Sequence, residues 1–375
     1  MFMLKFCVSR RNFIDGASAF ALGALSGCRI AGMETSSDDA LAELQRQIDE
    51  GMIDGAVFQT TSMPYALSIG NRTFQPPIQP MTVDTRFDVA SVTKPVVAAC
   101  AALLYADGRF DPFVPVSRYL PELATHPACV ATGFDLATHS SGFRYLLKDG
   151  HDEAAFWRAM LAHRPVAAPG STFKYCCYNY VLLGHLVERI SGKRLDRFAH
   201  DRLFVPLGMD HAAWGPVPPE GCVAFPHARE GFALAPRGRV VDCLARNCPF
   251  PIGNAGLFAT VDDMMRFVRD ILERRRFPAA YYDLMTRRVW EKDGVRRSFG
   301  WDMRDEGRPA RCSRQTIFHT GSTGQTILCD PANGFAAVLL TSRRCEHDAA
   351  MLGRRRVMDV LAGSLGNLKG KGRQS

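Results

Sequence analysis

Apolar positions change spacing along the chain in a definite order, and that order predicts its elements. After a polar linker at 34–37, residues 38–50 put Leu41, Leu44 and Ile48 on one helical stripe, with Gly51 as its stop. Strand-like runs at 55–60 and 65–69 follow, and the turn signal Gly70-Asn71 predicts antiparallel pairing. A proline-rich loop at 76–80 leads to the short run Phe87-Asp88-Val89-Ala90. That run gives way to an alanine-rich helical pattern from Pro95 to Ala106, which Gly108 ends. Pro95 falls in the opening turn, where a missing N–H costs little.

From Asp111 to about Val240 the pattern is helical segments joined by Pro/Gly loops, with little strand signal. Residues 136–143 read as a short helix stopped by Gly142, and 179–190 as a helix closed by Ser191-Gly192. Beyond Asp242 strands and helices return. Thr260-Val261-Asp262-Asp263 is a capping-box start before Met264, Phe267, Val268 and Ile271. Residues 315–318, 325–329 and 335–341 read as strands of one antiparallel sheet, with a turn at 330–334, and 348–362 as a last helix. No internal repeat is present. The layout is a sheet domain drawn from 38–110 and 241–365, with an all-helical domain at 111–240 between its halves and a flexible tail at 366–375.

Residues 1–28 differ in kind. Ser9-Arg10-Arg11-Asn12-Phe13-Ile14 resembles a twin-arginine export signal, and the apolar run at 17–25 is too short for an ordinary membrane span. Leu25-Ser26-Gly27-Cys28 looks like a lipobox, which makes Cys28 a lipidation site and the mature protein a bacterial envelope lipoprotein held at a membrane. A plain cleaved signal with a chance cysteine is the other reading, and it still exports the protein to the periplasm.

Composition adds limits. With 375 residues, 47% hydrophobic and 22% charged, the chain buries a full core. The net charge of +8 includes clusters at Arg274-Arg275-Arg276 and Arg354-Arg355-Arg356. Neither is interleaved with aromatics, so both read as solvated helix faces and no nucleic-acid partner is expected. A basic balance favours anionic substrates or an anionic envelope. Twelve cysteines leave both disulfides and free buried thiols open, but no zinc-site spacing recurs. Neither a metal nor a cofactor is expected.

The candidate chemistry centres on Ser91-Val92-Thr93-Lys94. Residues three apart share a helix face, so an amine there can take the proton of the serine hydroxyl. A serine at a helix start is also an ordinary N-cap. Tyr175, in a loop entering a helix, becomes a base if neighbouring cations favour its anion. In His319-Thr320-Gly321-Ser322, Gly321 lets the backbone approach a substrate closely, and the N–H groups of Ser91 and Ser322 form a candidate oxyanion hole.

Taken together, the mature chain from about 40 to 363 resembles the serine β-lactamase and penicillin-binding-protein superfamily, in the branch of class C β-lactamases, DD-peptidases and related esterases. The motifs occur in family order: Phe87 to Lys94; Leu136-Ala137-Thr138-His139-Ser140-Ser141-Gly142; Tyr175 followed by Tyr180-Val181-Leu182-Leu183-Gly184; Pro206-Leu207-Gly208-Met209; Ala255-Gly256-Leu257-Phe258-Ala259-Thr260; and His319-Thr320-Gly321. The resemblance implies an α+β, β-lactamase/transpeptidase-like fold, an antiparallel sheet flanked by helices with an inserted helical domain. It implies Ser91 as the acylated nucleophile, Lys94 and Tyr175 as the proton-transfer pair, and His319 where many members have lysine. Two departures stand out. Cys177 occupies a position where the family has an asparagine or aspartate, with Cys176 before it, and a thiol is a poor donor to a substrate amide. His319 removes a fixed positive charge that would bind a substrate carboxylate. The leading reading is a serine hydrolase acting as an esterase or peptidase on a small or cell-wall-derived acyl substrate. A true β-lactamase and a catalytically idle penicillin-binding-like module are the alternatives. No G-x-S-x-G nucleophile elbow occurs.

Overall fold

The computed structural model describes residues 31–125, 127–144, 152–225 and 235–365. The export-signal segment with Cys28 and the tail at 366–375 lie outside the described residues. The strands in chain order are β1 (Ile53–Thr60), β2 (Leu67–Gly70), β3 (Phe87–Asp88), β4 (Ala213–Trp214), β5 (Leu257–Ala259), β6 (Val289–Lys292), β7 (Val295–Ser298), β8 (Trp301–Asp302), β9 (Ile317–Gly321), β10 (Gln325–Asp330) and β11 (Phe335–Arg343). The first two and last six form one antiparallel sheet in the order β2-β1-β11-β10-β9-β8-β7-β6. Segments from the first and last parts of the described chain pair in register one strand in from the β2 edge, with Val57 opposite Leu340 and Phe58 opposite Leu339. A small second sheet, β3-β5-β4, ties Phe87 to Ala259 and Ala213 to Phe258.

The helices that shape the site are α1 (Ala31–Asp49), α2 (Thr93–Ala106), α3 (Gly133–Thr138), α4 (Glu153–Leu161), α5 (Cys177–Ser191), α6 (Val261–Glu273), α7 (Ala279–Thr286) and α8 (His347–Leu361). They cover both faces of the sheet. Because side chains alternate along a strand, Val338 and Leu340 of β11 pack with Val97 of α2 and Val268 of α6. Ala337 and Leu339 face the other way, with Leu44 of α1 and Leu361 of α8. With apolar layers on both sides, β9 to β11 are buried almost throughout.

Several boundaries differ from the sequence-based ones. The segment 34–37, predicted as a linker, continues α1 back to Ala31, since no glycine or proline interrupts the chain from Met33 to Asp49. The predicted 136–143 helix begins earlier and ends earlier. Thr132 caps α3 through a reciprocal pair with Asp135, and His139, in a left-handed conformation at φ 60°, ends it before Gly142 is reached. The strand predicted at 315–318 is displaced to 317–321 and so carries the whole His319-Thr320-Gly321 run. β4 falls inside the stretch predicted to hold little strand, and β6 to β8 extend the sheet where no individual strand was assigned. The capping box at Thr260 and Asp263 does open a helix, with Asp263 N–H 3.2 Å from Thr260 Oγ1.

Candidate active site

Ser91 sits at the join between the two sheets. A single 3₁₀ turn, Ala90–Val92, leads from β3 into α2, and Ala90 adopts φ 47°, a left-handed conformation costly for a residue with a β-carbon. Asp88 holds that conformation. Its carboxylate accepts the Ala90 N–H at 2.8 Å and the Val241 N–H at 2.7 Å, while its carbonyl accepts from Thr323 Oγ1 at 2.9 Å. Burial pushes this carboxyl up to about 6, against the two N–H groups that favour its charge. The turn is thus tied to the strand end beyond β9 and to the loop before residue 242. Thr93 adds a third tie, accepting the Leu257 N–H at 3.1 Å.

Lys94 lies one helical turn on and is fully buried. Its Nζ is 2.9 Å from Ser91 Oγ and 2.8 Å from the Asn254 carbonyl oxygen. Burial works against a charge on this amine, but the nearby Cys177, Tyr175 and Asp242 side chains work for it, and the net direction is upward. A charged Lys94 donates to the serine oxygen and to the carbonyl. A second ionisable side chain stands beside it.

Tyr175 is that neighbour in the loop before α5, 41% exposed, with its ring centre 5.1 Å from Lys94 Nζ. Its ring rests 4.4 Å from that of His139. His139 Nδ1 accepts the Cys176 N–H and the Asn179 side-chain amide, each at 3.2 Å, which fixes the tautomer with hydrogen on Nε2. Burial, then Arg297 and Lys94, holds this imidazole well below its ordinary range, so it is a neutral platform beneath Tyr175. Cys176 is buried and its thiol is pushed up to about 11 by that burial. Cys177, half-buried, opens α5. Cys100, Cys176, Cys177, Cys222, Cys243, Cys248, Cys312, Cys329 and Cys345 are free thiols.

Ser91, Tyr175, His319 and Ser322 line one cavity of about 270 Å³. Lys94, Gly321 and Cys177 are not among its lining residues. Gly321 instead crosses close to the turn that carries Ser91, where an added β-carbon would stand 2.6 Å from the Val89 carbonyl oxygen. His319 is buried, its Nδ1 is 3.0 Å from the Thr320 carbonyl oxygen, and burial together with Arg297 and Lys94 pushes it down to about 3. It is a neutral imidazole at physiological pH. The cavity has a further wall that sequence reasoning did not anticipate, made by Phe173, Arg297, Asp302 and Arg304. Asn254, which holds Lys94, gave no signal in the sequence either. His139 lay within a motif that was recognised, yet only the structure shows what it touches.

The family description "Beta-lactamase" matches residues 54–362. A protein of Escherichia coli (strain K12) named for D-alanyl-D-alanine carboxypeptidase activity is 26% identical over 313 residues, covering 70% of each chain. Esterase EstB of Burkholderia gladioli is 29% identical over 318 residues, covering 72% of this chain and 80% of its own. Among solved structures, EstCE1, described as a hydrolase with promiscuous acyltransferase activity, superimposes with TM-score 0.74 at 20% identity, covering 90% of this chain and 99% of its own. The α+β architecture is therefore that of the β-lactamase/transpeptidase structures. The chain belongs to the Beta-lactamase family, as a serine hydrolase related to DD-carboxypeptidases and esterases.

Proposed function

We propose that the protein hydrolyses an ester or a peptide-type amide through an acyl-Ser91 intermediate. The observation that carries this reading is the 2.9 Å contact between Ser91 Oγ and the fully buried Lys94 Nζ at the edge of an open cavity. In the first step Ser91 Oγ attacks the carbonyl carbon while its proton passes to Tyr175, whose anion the Lys94 ammonium favours. The developing oxyanion is received by the N–H groups of Ser91 and Ser322. Collapse of the tetrahedral species breaks the bond to the leaving group, which takes the proton from Tyr175. Water then attacks the acyl-serine, giving a proton to Tyr175, and Ser91 Oγ leaves and recovers it. Lys94 keeps its charge throughout and steers the proton between the two oxygens.

The names of the relatives, a D-alanyl-D-alanine carboxypeptidase and an esterase, support an acyl donor of one of these two kinds. Cys177 supports neither strong amide recognition nor a dedicated β-lactamase, since a thiol donates weakly. Hydrolysis of p-nitrophenyl acyl esters, a D-Ala-D-Ala peptide and nitrocefin by the wild type and Ser91→Ala separates the readings. Turnover of ester or peptide by the wild type alone is expected. Turnover confined to nitrocefin would replace this reading with a β-lactamase, and turnover that survives Ser91→Ala would end it.

A further inference from the structure

Each of the two residues whose N–H groups receive the oxyanion has a chain neighbour bound to Asp88. Ala90, just before Ser91, donates its N–H to Asp88 Oδ1 at 2.8 Å, and Thr323, just after Ser322, donates its hydroxyl to the Asp88 carbonyl oxygen at 2.9 Å. One fully buried residue thus holds both arms, Ala90 through its side chain and Thr323 through its main chain. Asp88 is itself seated by pairing with Phe258 of β5 and by the Val241 N–H at 2.7 Å from its carboxylate.

The Ser322 arm carries more polar chemistry than a sheet interior needs. Gln325, fully buried at the start of β10, directs Nε2 to the Asp88 carbonyl oxygen at 3.1 Å and to Thr323 Oγ1 at 3.0 Å, while its Oε1 accepts the Thr341 N–H of β11 at 3.0 Å. A buried amide costs stability unless its groups are met. Here they are met by drawing the turn after β9 against the carbonyl group that leads into the Ser91 turn. Beside this clamp the two backbones touch, since a β-carbon at Gly321 would stand 2.6 Å from the Val89 carbonyl oxygen. Contact and clamp together fix how far Ser91 lies from Ser322. An oxyanion hole depends on that separation, because its donors act at about 2.7–3.1 Å from the developing charge.

We infer that Asp88 is a positioning residue that sets the spacing of the Ser91 and Ser322 N–H groups, with Thr323 and Gln325 as its clamp on the Ser322 side. This rests on the acyl-serine reading, in which those two groups receive the oxyanion. Asp88 is not among the residues lining the cavity, so it acts through Ala90 and Thr323.

The test compares p-nitrophenyl acetate with O-p-nitrophenyl thionoacetate, using the full-length protein. The two share a leaving group and differ only in oxygen or sulfur on the reacting carbon. Sulfur is a weak acceptor and gains less from the two N–H groups. The wild type is expected to prefer the oxygen ester by about tenfold or more in kcat/KM after correction for spontaneous hydrolysis. Asp88→Asn has an amide that cannot accept both the Ala90 and Val241 N–H groups, and Thr323→Val keeps the shape but loses the hydroxyl. Each should slow the oxygen ester by about 10²-fold, mostly in kcat, and the thiono ester far less. Thr323→Ser should restore much of the preference. A preference that survives in Thr323→Val, equal slowing of both esters, or no preference in the wild type would overturn the proposal. If Asp88→Asn does not fold, the two threonine variants decide alone. Hydrogen exchange separates this from failure of the hydrolase reading. Asp88→Asn and Thr323→Val should each speed amide exchange in both 87–93 and 320–326, whether or not any ester turns over. Faster exchange confined to the segment that carries the substitution would refute the shared pivot, whereas coupled exchange without wild-type turnover would fault the hydrolase reading alone.

Discussion

His319 and Lys94 occupy one site and take opposite charge states, and the difference is one of neighbours. Lys94 has the Cys177, Tyr175 and Asp242 side chains around it, whereas His319 is buried against Arg297 and Lys94. The folded protein therefore keeps His319 neutral down to about pH 3, while an unfolded chain protonates it near 6.5. Between those values the unfolded state binds more protons, so stability falls as pH drops through that window. Replacing His319 with Asn should remove its share of this slope. Urea unfolding at pH 7 and 4.5 is expected to show wild-type stability lost by roughly 2 kcal/mol more than in His319→Asn, about the linkage of one group over two pH units. Equal losses would mean that His319 is charged or exposed in the folded state. Asp88 acts in the opposite sense, because its carboxyl is pushed up to about 6, but it is present in both proteins and cancels. Sequence motifs had placed a histidine at 319, and the loss of a fixed charge there was legible. That Arg297 would stand beside it was not, because two residues 22 apart on strands β7 and β9 meet only through β8.

Elements were legible where one local rule decided them. Thr260 and Asp263 opened α6 as expected, and Gly192, at φ 73°, closed α5. They were misplaced where a tertiary contact decided. His139 ends α3 in a conformation more usual for glycine or asparagine, and its Nδ1 is bound to α5 and the residue before it. β6 is a solvent-facing strand whose residues Val289 and Lys292 are exposed, so it lacks the alternation that reveals a half-buried strand. Its side chains nonetheless reach the site loop, with Trp290 Nε1 3.2 Å from the Gly170 carbonyl oxygen and Lys292 Nζ 2.6 Å from that of Ser171. β9 shows how closely elements are fitted around Ser91. Gly321→Ala would put a methyl 2.6 Å from the Val89 carbonyl oxygen, and neither β9 nor the 3₁₀ turn can yield without moving Ser91 relative to Ser322. The expected result is a fall in kcat/KM of about 10²-fold on a neutral ester, the scale of a misplacement near 1 Å, with the cooperative unfolding transition retained. Wild-type turnover in Gly321→Ala would show that the two segments are not coupled.

At the scale of the whole molecule, the site exists because distant parts of the chain meet beside β9, an inner strand of the large sheet. β1 pairs with β11, so that α1 and α8 lie together on the outer face, joined by Gln47 Nε2 to the Gly353 carbonyl oxygen at 3.1 Å. The inner face receives α2 with Ser91 and Lys94, α5 sets Tyr175 over it, and β7 to β9 close the far wall. Hydrophobic periodicity gave the layers, and motif order gave the family. Periodicity says nothing about which loop carbonyl holds Lys94, because that depends on packing between segments more than 100 residues apart. The claim on which everything functional depends is that Ser91 is an activated nucleophile. The most direct test is intact mass after incubation with a fluorophosphonate, for the wild type, Ser91→Ala and Lys94→Ala. A single adduct on the wild type is expected, none on Ser91→Ala, and labelling slowed by about 10²-fold or more in Lys94→Ala. Labelling of Ser91→Ala at the wild-type rate, or no labelling of the wild type, would contradict it.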